Sequence, residues 1–354
     1  MSDQAVSSLS KPAWSVQRQF KRILEGQRIF VLVALAFVAT GSLLLPNPGL
    51  LTLPVITQFL LFNLLSLIYA VVAHILAHLA ASRSLNLSVD HAFKNVLALE
   101  NLSRAVPSLL LIGAFMFTFP SFKSHIPEVN PYSWDPMFAQ VDRVLHFGKS
   151  PWQWLEEITG YGAFTIFIDK VYYLWFPVTF ASAAVAVTAS GDSALRHRFL
   201  LTFVLSWIVI GCMLATGLSS VGPIFYDRLH GGASEFTALV ARLVETNDQS
   251  PLQALVVRDM LWQSYTDSSN TIVSGISAMP SMHNAICVLL FLAARHVNRW
   301  LALGAALYAF AIFAGSVHLG WHYAIDGYLA AVLVAILWKV AGYAVTAATP
   351  QQPA

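Results

Sequence analysis

Apolar runs long enough to cross a bilayer recur along the chain, and no other feature restricts its fold as much. A helix rises about 1.5 Å per residue, so roughly 17 to 25 mostly apolar residues cover the hydrocarbon core. Eight spans are expected on this basis: Ile29 to Leu45, Thr52 to Ala81, Ala105 to Phe122, Phe164 to Ala189, Phe199 to Ser219, Met282 to Ala294, which is the shortest, Trp300 to Leu319 and Ala324 to Ala348. Pro46-Asn47-Pro48-Gly49 forms a turn cluster that closes the first. The sequence therefore predicts an all-α polytopic membrane protein of about eight transmembrane helices. Composition agrees, because 57% hydrophobic and 11% charged residues over 354 positions lie far from the soluble norm of about half and a quarter. A net charge of +2 gives no reason to expect a nucleic-acid partner. Cys212 and Cys287 both fall in apolar runs, where small buried residues are expected and neither a disulfide nor a metal role is implied.

The cations orient the spans. Lys11, Arg18, Lys21, Arg22, Arg28, Arg83, Lys94, Arg104, Arg196, Arg198, Arg295 and Arg299 fall on the side of the N-terminus. Lys123, Arg143, Lys149, Arg228, Arg242 and Arg258 fall on the other, and Lys170 and Lys339 lie inside spans. The twofold bias predicts cytoplasmic termini. It also puts the loop before Met282 and the junction after Leu319 on the outer face. The polar lead Met1 to Gln27 has no convincing small-residue cleavage site, so an uncleaved basic segment is expected.

Titratable groups are rare, yet Ser316 to Asp326 reads Ser-Val-His-Leu-Gly-Trp-His-Tyr-Ala-Ile-Asp. On a continuous helix its four-residue steps align His318, His322 and Asp326 on one face. Ser277-Ala278-Met279-Pro280-Ser281-Met282-His283 precedes the sixth span, where a helix N-terminus favours an anion. Both segments are predicted at one membrane depth. An imidazole oriented by a carboxylate is a nucleophile, and a second imidazole can protonate a leaving oxygen. Acyl transfer would want a separate nucleophile, for which Ser281 is the local candidate. Phosphoryl transfer needs only the two histidines and donors for the phosphoryl oxygens. Two other uses stay open: a zinc site of His318, His322 and His283, and polar packing. Ionisable groups at membrane depth are functional by default, which favours chemistry over packing.

These residues resemble a known family. Pro280-Ser281-Met282-His283 is similar to the second signature of the type 2 phosphatidic acid phosphatase superfamily, and His322-x-x-x-Asp326 to the end of its third. Ser-Ala-Met-Pro-Ser-Met-His and Gly-Trp-His-Tyr-Ala-Ile-Asp-Gly look most like the branch containing inositol phosphorylceramide synthases and bacterial relatives. Tyr132 to Trp152, with Asp135, Asp142 and Arg143, and Gly222 to Asp227 are further similar stretches. The resemblance implies that His322 becomes a phosphohistidine, Asp326 orients it and His283 protonates the leaving group, without metal or cofactor. It also implies a phospholipid, polyprenyl phosphate or sphingolipid phosphate as donor. The acceptor is an inositol-like polyol, a lipid alcohol or water, so transferase and phosphatase both fit, with transferase favoured.

The superfamily's first signature, which grips phosphate, is missing, and Ser316-Val317 stands where Ser-Arg is expected. Arg228, Arg143 and Lys149 are the outer-face candidates for that task, with Ser281, Tyr226 and His318 as further candidate contacts. The expected organisation is a basic segment at 1–28, two accessory spans with a connector at 29–104, and a catalytic core at 105–346. That core carries outer loops 123–163 and 220–282, and 347–354 forms a cytoplasmic tail. Tyr172, Tyr173, Trp175 and Phe176 read as an interfacial aromatic belt. A flippase or transporter is the non-enzyme alternative, but it predicts two related halves and no internal repeat stands out. Short loops suit a bacterial inner membrane with the site on the outer face.

Overall fold

The computed structural model describes residues 13–44, 53–82, 85–96, 99–160, 162–188, 193–267 and 274–348. The 46–49 turn, residues 1–12 and most of the C-terminal tail lie outside them. Among the described residues the protein is all helical, with no strand. The long elements are α1 (Ala13–Leu44), α2 (Leu53–Ser82), α3 (Leu85–Val96) and α4 (Leu99–Ser124). Two short helices follow, α5 (Asp135–Leu145) and α6 (Pro151–Thr159), then α7 (Ala163–Tyr173), α8 (Trp175–Thr188) and α9 (Ser193–Leu205). The next are α10 (Thr237–Gln249), α11 (Gln253–Thr266), α12 (Met282–Ala294), α13 (Arg299–His318) and α14 (Ala324–Ala348). A π-helical stretch, Ser206–Leu214, continues α9.

Six segments are long and apolar enough to cross a membrane: Ile56–Leu79, Ala105–Val129, Ala163–Thr188, Ala194–Gly217, Arg299–His318 and Ala324–Ala348. Arg28–Leu43 and Met282–Ala294 are apolar but shorter, so six of the eight expected spans meet the length on their own. Bilayer-facing positions are visible on α2, where Leu60, Leu61 and Leu64 are each more than half exposed. In a membrane such faces meet lipid, and only the inward stripes must find protein partners. α12 packs against α13 and α14, α9 lies against α14, α1 against α4 and α9, and α2 against α4 and α8.

The expected single helical face through His318, His322 and Asp326 does not form. α13 stops at His318, Gly320 takes φ +74°, and α14 starts at Ala324. His322 therefore sits in the turn between two spans. The turn is tied down from outside, since Ile224 N–H donates to the Gly320 carbonyl at 2.7 Å. Gly222, at φ +82°, passes so close that a Cβ would lie 2.6 Å from the Trp321 carbonyl oxygen, and only glycine fits both the conformation and the gap.

Three aspartates hold backbone donors of elements far away in sequence. Asp135 accepts from Val221 N at 3.1 Å, Gly222 N at 2.9 Å, Ser220 Oγ at 2.8 Å and Tyr323 Oη at 2.9 Å. Asp142 accepts from Ala324 N at 2.7 Å and Ile325 N at 3.0 Å, capping α14 from another part of the chain. Asp169 does the same for α11 through Gln253 N and Ala254 N, both at 2.9 Å. A helix start leaves N–H groups without intrahelical partners, and a carboxylate there answers both hydrogen-bonding need and dipole. Burial raises the Asp142 carboxyl above the ordinary range, and the two N–H donors act in the opposite direction.

Candidate active site

The reactive groups arrive from three directions. Ser281 caps α12, its Oγ accepting from Asn284 N at 3.3 Å and Asn284 Nδ2 at 3.0 Å. The helix thus starts in the register that puts His283 in its first turn. Ser281 N–H donates to the Asp326 carbonyl at 3.3 Å, joining the starts of α12 and α14. The His322 side chain is buried between them.

His322 Nδ1 lies 2.8 Å from the Ala278 carbonyl oxygen and 3.2 Å from Asp326 Oδ2. A carbonyl can only accept, so Nδ1 carries the hydrogen and Nε2 keeps its lone pair. Asp326 Oδ2 also accepts from Tyr323 N at 3.1 Å, which fixes the carboxylate against the turn. Burial first, and the Lys123 charge further, push His322 down to about 3, although the Ala278 carbonyl pulls the other way. The free imidazole is therefore neutral at physiological pH.

Nε2 of His322 lies 3.4 Å from His283 Nδ1. The His283 ring is held by aromatic neighbours, stacked on Tyr172 at 4.6 Å with Trp175 at 4.3 Å. Trp175 Nε1 also donates to the His283 carbonyl at 3.1 Å. Tyr172 and Trp175 are buried at 2% and 3% exposure. The expected interfacial belt over Tyr172 to Phe176 is thus instead largely a wall around this histidine, because the α7–α8 junction turns those rings inward. Phe176 keeps an exposed side.

Both histidines line a cavity of about 390 Å³ together with Lys123, Trp321 and a set of aromatic side chains. Lys123 ends the apolar part of α4 and acts electrostatically on both rings. Among the described residues no carboxylate pairs with it. Sequence reasoning counted Lys123 only as a marker of span orientation. The signal was there, a lysine closing an apolar run at the depth of the histidines, but nothing in the sequence joins α4 to α12.

The remaining predicted contacts lie elsewhere. Arg143 pairs with Glu235, which also takes the Ser150 hydroxyl. Lys149 pairs with Glu157 at 2.6 Å and lies over the Trp154 ring at 4.6 Å. Arg228 pairs with Asp259 at 2.9 Å. Tyr226 packs between His230 and Phe236, and Ser281 is fully buried in its cap. His318 bonds Thr165 Oγ1 at 2.8 Å, edge-on to Phe164, and does not join His283 and His322 at the cavity. Among the described residues no group of three or more His, Cys, Asp or Glu side chains is placed to hold a metal.

A bundle of apolar helices carrying two histidines and a carboxylate beside an aromatic cavity defines a membrane protein built to meet an amphiphile. The model of one family, described as the PAP2 superfamily, matches residues 137–340. The match covers more than half of the chain, and the protein belongs to that superfamily. Membership points to phosphatase or phosphotransferase chemistry on lipid phosphates. No curated protein and no solved structure matches the chain.

Proposed function

We propose that the protein is a lipid phosphotransferase working through a phosphohistidine at His322. The observation that carries this is the His322 hydrogen-bond pattern, with Nδ1–H held by Ala278 and Asp326 and the lone pair of Nε2 turned toward His283. Nε2 attacks phosphorus, a P–N bond forms, and the bond to the departing lipid oxygen breaks while His283 gives that oxygen a proton. In the second half, His283 takes a proton from an acceptor hydroxyl, whose oxygen attacks phosphorus and breaks the P–N bond. Asp326 stabilises the positive charge that develops on the His322 ring.

The phosphoryl oxygens require a donor, and Lys123 is the cation lining the cavity with both histidines. Arg143, Lys149 and Arg228 each have a nearer carboxylate, so the grip on phosphate is assigned to Lys123, aided by backbone N–H groups at the start of α12. A hydroxyl acceptor is favoured over water because the cavity beside His283 is walled by aromatic rings, and an apolar site disfavours entry of bulk water. The acceptor is an inositol-like polyol or a lipid alcohol, in the manner of the inositol phosphorylceramide synthase branch. The cation bias supports a site on the outer face, and the short loops suit a bacterial inner membrane.

Purified protein should be given a labelled phospholipid with candidate hydroxyl acceptors and the products read by mass spectrometry. The expected product is a phosphorylated or head-group-bearing acceptor. Release of only free phosphate or the donor's own phosphorylated head group, with nothing transferred to an added acceptor, would assign the site to a hydrolase. Acid-labile label on His322 should appear during turnover, and its absence from trapped enzyme would overturn the mechanism. Chelation by EDTA should leave the rate unchanged; inhibition that zinc reverses would point to a metal enzyme.

A further inference from the structure

The cavity is polar at one end only. Lys123, His283 and His322 stand there with Trp175 against His283, while Phe117, Phe119, Phe180 and Trp207 line much of the rest. A site of this kind fits an anionic head attached to a hydrocarbon chain. One lining side chain, Phe62, comes from α2, a helix that precedes the matched segment 137–340. Its ring stands edge-on to Phe180 at 4.7 Å and to Phe117 at 5.9 Å.

Chain geometry fixes the depth of this aromatic layer. Phe117 precedes Lys123 by six residues on α4, and Phe180 follows Trp175 by five on α8. At the helical rise these offsets are about 9 Å and about 7.5 Å. Phe62, Phe117 and Phe180 therefore form a layer one and a half turns below the reactive groups. Nearer the reactive end, Phe176 lines the same cavity and is 42% exposed.

We propose that α2 completes a hydrocarbon-binding pocket and that Phe62 is its stop, gauging the length of the chain the site holds. The proposal rests on the lipid phosphate as substrate and adds which chain lengths are favoured and which helix decides it. Every methylene held in the cavity is expected to raise affinity about fourfold. A chain that has reached the Phe62 layer gains nothing from further methylenes unless it displaces the ring.

A homologous series of n-alkyl phosphates can test this on the detergent-purified full chain. Each member competes against photolabelling by an alkyl phosphate carrying a terminal diazirine. Potency, referred to the free aqueous concentration of each competitor, should climb by about fourfold per methylene and then level off. Phe62→Ala should move the break to longer chains and Phe62→Trp to shorter ones, and the wild-type label should fall on Phe62, Phe117 or Phe180. A break unmoved by both substitutions, no break at all, or label concentrated on the bilayer-facing Leu60, Leu61 and Leu64 would overturn the proposal. The photolabel reports folding of each variant, because a misfolded chain loses protection at every length. Binding that shows the break without turnover of any lipid phosphate would leave the pocket standing and remove the phosphotransferase. Turnover with an unmoved break would do the reverse.

Discussion

The two ends of the cavity are built on different principles. At the reactive end, side chains meet backbone: His322 meets the Ala278 carbonyl, Asp326 the Tyr323 N–H, and Asp142 the start of α14. At the far end, ring meets ring, with Phe62, Phe117 and Phe180 drawn from three helices. Directional bonds fix a nucleophile to within tenths of an ångström, as in-line displacement requires. Ring packing is softer in angle and suits a chain that slides in. The difference teaches that a chemical fault should be abrupt at one end and graded at the other.

The largest expected effect is at His322. His322→Ala should lower phosphoryl transfer by on the order of 10⁴-fold or more, and His283→Ala by about 10²- to 10⁴-fold, with the folded fraction checked by thermal unfolding in detergent. Wild-type rates in either variant would remove the assigned roles. Next comes Lys123→Ala, expected to cost about 10²- to 10³-fold in kcat/KM. A smaller loss than that in Arg143→Ala, Lys149→Ala or Arg228→Ala would keep the grip on phosphate at the cavity.

Asp142 probes the scaffold of the reactive end. Asp142→Ala leaves two buried N–H groups at the start of α14 without their acceptor. A stability loss of about 1–3 kcal/mol is expected, read by thermal unfolding, with activity falling because Asp326 rides on the same turn. His322 offers a test by titration. Burial disfavours the charged imidazolium, so the proton is held more weakly than in free histidine, and the ring should remain neutral until about pH 3. Nitrogen NMR of labelled histidine in the free enzyme would show this, and a midpoint near the ordinary value of about 6.5 would mean that water reaches the ring. The smallest change is expected from Arg143→Ala, Lys149→Ala and Arg228→Ala themselves, each below about fivefold in rate.

What could be read from sequence follows the same division. His283, His322 and Asp326 stood out because ionisable side chains in apolar runs are rare and these lie in short contiguous motifs. The helix class was equally plain, since long apolar runs admit little else. His318 misled, because four-residue spacing matters only if the helix continues, and Gly320 ends it. The phosphate cations were sought in the loops, where most outer-face charge lies, but loops also supply the carboxylates that pair with Arg143, Lys149 and Arg228. Lys123 and Phe62 were not visible as site residues, because their meaning comes from packing among helices that are not neighbours in sequence. An apolar run shows that a helix faces lipid or protein without showing which ring faces which.

The aspartates of the connecting helices carry an asymmetry for the variation this chain can tolerate. Asp135, Asp142 and Asp169 all terminate on main-chain N–H groups, and every amino acid except proline supplies that group. The donating positions Val221, Gln253, Ala254, Ala324 and Ile325 are free to drift without losing these bonds, whereas the accepting positions are not. Two homologues could share little sequence where the segments meet and still close the same joint, provided that three carboxylates stay in place. A loop grafted between relatives should work when it brings its aspartate and fail when it brings everything else.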